Sequence, residues 1–258
     1  MATDRPLVTQ HSSGTRRVLE ACVARVADAR AAEAAGADRI ELSRALDVDG
    51  LTPEAGVVEE VCGTCRAPVV VLVRPRPGDF VYGPAEIARM SAEVALMRAS
   101  GARAVAVGAL TPQREVDQAA CRALAAAAAG LDLVFHRAFD AAADASAALE
   151  AIIGLGFHRV LTSGGAPTAL AGAATLCGLV RRAGGRIAIV AAGGIRAATV
   201  AEVVRRSGCG QVHGTFRRLP DSRPVASGRG PQVDARARLD VRELAAVRRV
   251  LDRVAAGG

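Results

Sequence analysis

The run Ile87-Ala-Arg-Met90-Ser-Ala-Glu-Val94-Ala-Leu-Met97-Arg-Ala-Ser-Gly101-Ala-Arg-Ala104-Val-Ala-Val-Gly108 decides the fold. Ile87, Met90, Val94 and Met97 recur at spacings of three and four, which puts one apolar stripe along a helix. Gly101 stands where a helix stops. The short apolar run Ala104–Gly108 that follows reads as a strand with both faces covered. The unit is therefore helix, stop, buried strand.

The same unit recurs in both directions. Gly36-Ala37-Asp38 precedes a second such strand, and Gly154, Gly156 and Gly184-Gly185 mark further helix ends. Val200, Val203 and Val204 form another stripe, as do Leu244, Val247, Leu251 and Val254, with Asp240 and Glu243 placed as a capping box. Eight strands are predicted, near Val18–Cys22, Arg39–Leu42, Val69–Arg74, Ala104–Gly108, Leu131–His136, Arg159–Thr162, Arg186–Ala191 and Gln211–His213. The repeat of roughly thirty residues matches a βα module. Eight such modules predict an α/β protein, a single-domain TIM (β/α)8 barrel over residues 17–258 behind a polar tail at 1–16. A doubly wound open sheet is the alternative. Arg217 to Arg238, rich in Arg, Pro, Gly and Ser without periodicity, is expected to be a long loop after the last strand, either a lid or an unordered insertion.

Composition removes several function classes. All 33 basic residues are Arg, so Schiff-base aldolase chemistry, a Lys-linked pyridoxal cofactor and a P-loop are excluded. The net charge of +7 is spread among Asp and Glu along helices, and five Phe, one Tyr and no Trp offer few stacking platforms, so no nucleic-acid partner is expected. Neither a membrane-length apolar run nor a secretory leader is evident, which places the chain in the cytoplasm. The six scattered cysteines read as thiols.

Barrel chemistry gathers at the C-terminal ends of the strands, where the βα loops converge. Those positions are polar here: Glu20 and Cys22 on the first strand, Glu41 and Ser43 on the second, Arg74 on the third, His136 and Arg137 on the fifth, Thr162 and Ser163 on the sixth, His213 on the eighth. Alternation along a strand puts Glu20 and Cys22 on one face about 6.6 Å apart, and Glu41 and Ser43 repeat that spacing. Ionisable groups buried together cost kilocalories unless they pair or bind something. The cluster is expected to converge on one cavity as a site, against the alternative of a structural salt-bridge network. Ser163-Gly164-Gly165 and Gly193-Gly194 before Arg196 are candidate anion cradles, since such glycines let backbone N–H groups approach a ligand. Tight turns explain them as well. Cys62-Gly-Thr-Cys65 falls at the end of a helix before a strand and is assigned to the opposite, stabilising face.

At these residues a family comes into view. Leu19-Glu-Ala-Cys22, Gly36-Ala-Asp-Arg-Ile-Glu-Leu-Ser43, Gly50-Leu-Thr-Pro53, Arg74-Pro-Arg-Pro-Gly-Asp-Phe-Val-Tyr82, Gly108-Ala-Leu-Thr-Pro112, Phe135-His-Arg-Ala-Phe-Asp140, Arg159-Val-Leu-Thr-Ser-Gly164, Ala192-Gly-Gly-Ile-Arg196 and His213-Gly214 together resemble the CutC copper-homeostasis family, in order over residues 17 to 215. The resemblance implies a cytoplasmic TIM-type barrel, often a homo-oligomer, with Cu(I) as its cofactor or cargo and cysteines of the first two strands as its ligands. Cys22 matches the first ligand position. Ser43 stands at the second, and a hydroxyl is a poor donor for a soft ion.

Two function classes follow. The resemblance implies a copper-homeostasis protein with Cys22 as metal ligand. The residues themselves fit an enzyme acting on a small anionic or sugar-like substrate. Glu20 or Glu41 would be the general base, His136 or His213 the acid, and Arg74 and Arg137 the anion holders, with Asp140 beside them. A scaffold or nucleic-acid binder rests on charge alone and comes last.

Overall fold

The computed structural model describes residues 16–217 and 238–256. All but Arg16 of the tail expected at 1–16, and residues 218–237 of the expected loop, lie outside the described residues. The ends of that loop are brought together, because Arg217 and Leu239 form an antiparallel bridge.

Among the described residues, eight strands alternate with eight α-helices: β1 Val18–Val23, α1 Val26–Ala34, β2 Arg39–Leu42, α2 Ala55–Thr64, β3 Val69–Leu72, α3 Pro84–Ala99, β4 Ala104–Val107 and α4 Gln118–Ala127, then β5 Asp132–Phe135, α5 Ala145–Gly154, β6 Arg159–Thr162, α6 Ala173–Ala183, β7 Ala188–Ala192, α7 Val200–Ser207, β8 Gln211–Gly214 and α8 Val241–Ala256. All neighbours pair in parallel, and β8 returns to β1 with Val18 opposite Gln211 and Glu20 opposite His213. The sheet is a closed barrel, so the open doubly wound alternative is ruled out.

Local chemistry explains the ends of these elements. Asp117 accepts from Ala120 N at 2.9 Å and Asp144 from Ser146 N at 2.7 Å, each occupying one of the free donors of a helix start. Helix α6 ends at Gly184 with φ +54°, a left-handed turn that costs a Cβ-bearing residue energy. At α8, Asp240 caps as expected, accepting from Glu243 N at 3.0 Å. The reciprocal half of the capping box is absent, because the Glu243 carboxylate instead accepts from Ala197 N at 2.8 Å. Tertiary structure supplied a better donor than the helix's own.

Strand alternation divides the core in two. Leu19, Ala21, Ile40, Leu42, Val105 and Val107 face outward onto the helices, where they meet Met90, Val94 and Met97 of α3. Each of those α3 side chains is fully buried, worth about 1.5–3 kcal/mol apiece. Inside the barrel, Val70, Leu72, Ala104, Ala106 and Val134 form one apolar cluster and Leu161, Val190 and Ala192 another. The interior of β8, β1 and β2 carries Gln211, His213, Glu20, Cys22, Arg39 and Glu41 instead, all buried. One sector of the barrel is thus polar, and it positions the site.

Candidate functional site

The floor of the polar sector is an ion-paired network. Glu20 accepts a very short hydrogen bond from Arg39 Nε, and Arg39 also donates to Gln211 Oε1 at 2.8 Å. Arg159 pairs with Asp132 at 3.2 Å. Burial pushes the Glu20 carboxyl up, but Arg39 and His213 outweigh it and hold Glu20 well below the usual carboxylate range. Glu20 is therefore held ionised by its partners, which argues against its expected use as a general base. Its second oxygen lies 2.7 Å from His213 Nδ1, so its work is to orient that imidazole.

Above the floor lies a compact triad. When the His213 ring is neutral and donates Nδ1–H to Glu20, its Nε2 lone pair lies on the other edge, 4.0 Å from Glu41 Oε1. The ligand atoms of Cys22, Glu41 and His213 all lie within 4.8 Å of one another, and all three residues are buried. Register explains the meeting, since Cys22 pairs with Glu41 across β1–β2 and Glu20 with His213 across β1–β8. Burial, with Glu41 adding to it, raises the Cys22 thiol well above its ordinary value. Burial also raises Glu41. Burial would lower His213, yet the Glu41 and Glu20 carboxylates more than offset it, and the imidazole is raised. Ser43 Oγ sits 3.5 Å from Cys22 Sγ.

The remaining residues supply none of the triad's ligand atoms. Arg74 and His136 share the wall beside Phe80, each 5.1 Å from that ring. The expected convergence of Glu20, Glu41, Arg74 and His136 thus resolves into two groups. Arg137 donates from Nε to Asp140 at 2.9 Å and from a terminal nitrogen to Ser163 Oγ at 3.1 Å, while its side chain stays 46% exposed.

The first of the two glycine-bearing cradles is occupied by one of the chain's own acids. Asp140 accepts from Thr162 Oγ1, from Ser163 N at 3.1 Å and from Gly165 N at 3.0 Å, and Gly164 N donates to Thr162 Oγ1 at 2.8 Å. The anion at Ser163-Gly164-Gly165 is Asp140 itself. At the second cradle, Gly193 O accepts from Ala169 N and Gly194 O from Thr199 Oγ1, Arg196 donates to the Ile195 carbonyl, and Glu243 takes the Ala197 N–H. Asp140 thus takes donors that Ser163 and the glycines after it were expected to offer a ligand, while Gly193, Gly194 and Arg196 stay as candidates. Sequence cannot tell a bound anion from a side chain arriving from elsewhere in the chain.

Sequence reading also missed Arg39, Gln211 and Gly172. Arg39 was legible in principle, being two residues before Glu41 and hence on the same inward face. Gly172 was not: a Cβ there would lie 1.9 Å from the Ser163 carbonyl oxygen, a crowding only the folded β6 loop creates. A cavity of about 310 Å³ outside the barrel, lined by Arg44, Thr52, Arg89, Glu93 and Leu96, is no rival, because Glu93 is already bonded to both Thr52 and Arg89. Cys62 and Cys65 close α2 on the far face, where they were expected.

A profile of the CutC family matches residues 17–218. The chain belongs to the CutC family. A CutC family protein of Caulobacter vibrioides is 43% identical over 204 residues, covering 79% of this chain and 83% of that protein. The copper homeostasis protein cutC homolog of Homo sapiens is 41% identical over 205 residues, 80% of this chain and 75% of that one. The solved structure of CutC from Streptococcus agalactiae superposes with a TM-score of 0.74 at 31% identity, covering 77% of this chain and 98% of that one. The aligned CutC segment carries Cys22, Glu41 and His213 together with the Glu20–Arg39 floor.

Proposed function

We propose that this CutC-family chain serves copper homeostasis by holding Cu(I) as cargo at the barrel mouth on Cys22 and His213, with Glu41 as the third group. The observation that carries the reading is the buried meeting of these three ligand atoms within 4.8 Å. A thiolate and an imidazole suit Cu(I), whereas a carboxylate alone would not. A carboxylate orienting the far nitrogen of a metal-binding histidine is the usual support for such a ligand, and Glu20 stands in that place. Cys22 must surrender its proton to bind, and Glu41 beside it is a built-in acceptor. Ser43 in the second ligand position leaves one thiol where two would bind a soft ion more tightly.

The test is anaerobic Cu(I) titration against a chromophoric chelator. Cys22→Ala is expected to abolish uptake, His213→Gln to weaken it, and Ser43→Cys to strengthen it. Equal uptake by the protein and by Cys22→Ala would remove the reading. A cytoplasmic location is supported by six free thiols, which a reducing compartment preserves. Among the described residues no helix is long and apolar enough to cross a membrane. The homo-oligomer that the family resemblance implies is checked by sedimentation. The alternative, an acid–base enzyme on an anionic substrate, retains Glu41 as its base candidate once Glu20 is spoken for.

A further inference from the structure

Arg74 is a buried cation with no carboxylate beside it among the described residues. It is 4% exposed, and its guanidinium donates to the backbone carbonyls of Val48 at 3.0 Å, Gly50 at 3.1 Å and Gly78 at 3.0 Å, with the neutral Tyr82 hydroxyl as a weaker side-chain neighbour. Its Nε–H is buried without a hydrogen-bond partner. A charge in that state costs several kilocalories unless something compensates it. His136, also 4% exposed, stands on the same Phe80 ring. Its Nδ1 accepts from Ala138 N at 3.2 Å, which puts the proton of the neutral ring on Nε2. That Nε2–H is likewise buried and unpartnered. Burial, with Arg74 adding to it, holds the imidazole pKa down to about 3, so the ring is a neutral donor at any ordinary pH.

Two orphaned N–H donors, one on an uncompensated cation, ask for one kind of partner: an acceptor carrying negative charge. The Ser163-Gly164-Gly165 cradle is different, since Asp140 already fills it. Gly108 belongs to the arrangement as well. A Cβ there would come within 2.9 Å of His136 Cε1 and Nδ1, so only glycine lets the imidazole lie against β4 in this pose.

We propose that Arg74 Nε and His136 Nε2, flanking Phe80, form an oxyanion subsite that takes a carboxylate or phosphate oxygen of a small ligand. It uses none of the ligand atoms of the Cys22–Glu41–His213 triad and does not depend on copper. A guanidinium edge and a neutral imidazole N–H together favour a planar or tetrahedral oxyanion over a neutral sugar hydroxyl, because the hydroxyl leaves the cation uncompensated.

The experiment uses the full chain, freed of metal and labelled with nitrogen-15, and follows the side-chain N–H signals of Arg74 and of His136 among the four histidines. Inorganic phosphate and malonate are titrated separately to millimolar concentration. Saturable movement of both signals with phosphate, with malonate or with both supports the subsite, and the stronger probe names the ligand's head group. Arg74→Gln should weaken that binding by at least about tenfold. His136→Phe, which keeps a ring against Phe80 and removes the donor, should weaken it too and guards against a misfolded Arg74 variant. Cys22→Ala should leave it unchanged, which separates this result from failure of the copper reading. If neither anion moves the signals, or if both substitutions leave the affinity as it was, the donors are served by trapped water and the proposal is overturned.

Discussion

Replacing Arg39 with Met, a side chain of similar length without charge, isolates the worth of the ion pair on the barrel floor. Glu20 and Arg39 are 2% and 3% exposed, so solvent screens neither. Removing the cation leaves Glu20 with His213 as its remaining side-chain hydrogen-bond partner and strips Gln211 Oε1 of its donor. Losing one partner of a buried pair costs about 3–5 kcal/mol, out of a total stability of about 5–15 kcal/mol. Adding Glu20→Gln removes the second charge. Because replacing both members of a buried pair is often close to neutral, the double variant should recover about 2 kcal/mol or more. The assay is equilibrium urea unfolding of the protein, both single variants and the double variant at neutral pH. The pH series gives an independent check. In the protein, Glu20 titrates below its unfolded value of 4.5, so its contribution is present above that pH and is lost on acidification. Without Arg39 the carboxyl titrates higher, and acid relieves the variant. The gap between the two must therefore narrow as pH falls. A cost under about 1 kcal/mol, or a coupling near zero, would refute the claim that this pair organises the polar sector.

Two further outcomes are expected. Asp140→Asn should turn amide hydrogens toward the Ser163 and Gly165 N–H donors and cost about 2–3 kcal/mol. Calorimetry should then show a drop of roughly 5–10 °C in Tm, and a change under about 2 °C would mean the β6 loop holds without this acid. For His136, the unfolded ring titrates near 6.5 while the folded one stays neutral to about 3. The unfolded chain thus takes up a proton that the folded ring refuses, and stability is lost as pH falls from 6.5 toward 3. The difference between the protein and His136→Phe should change by about 1.4 kcal/mol per pH unit across that window. An imidazole signal assigned to His136 that titrates near neutrality would contradict it.

The glycine-bearing loops show where local reading stops. Ser163-Gly164-Gly165 has the composition of an anion cradle and does hold an anion, but the carboxylate comes from Asp140, 23 residues earlier at Ser163. Glu243 reaches Ala197 from 46 residues away and abandons the capping box its own helix offered. Conversely, the isolation of Arg74 is invisible locally, because Val48, Gly50 and Gly78 supply carbonyls and, among the described residues, no element supplies a carboxylate.

The periodicity of apolar residues was enough, by itself, to count eight βα units and to name the face where chemistry gathers, since helix and strand repeats are properties of neighbours along the chain. The family resemblance also lay in local motifs. Which polar residues meet was decided by the closure of the barrel. Only the pairing of β1 with both β2 and β8 brings Cys22, Glu41 and His213 together and sets Glu20 between Arg39 and His213. Contacts spanning up to 193 residues depend on register and on the shape of a closed sheet. Neither is written in any short stretch of sequence.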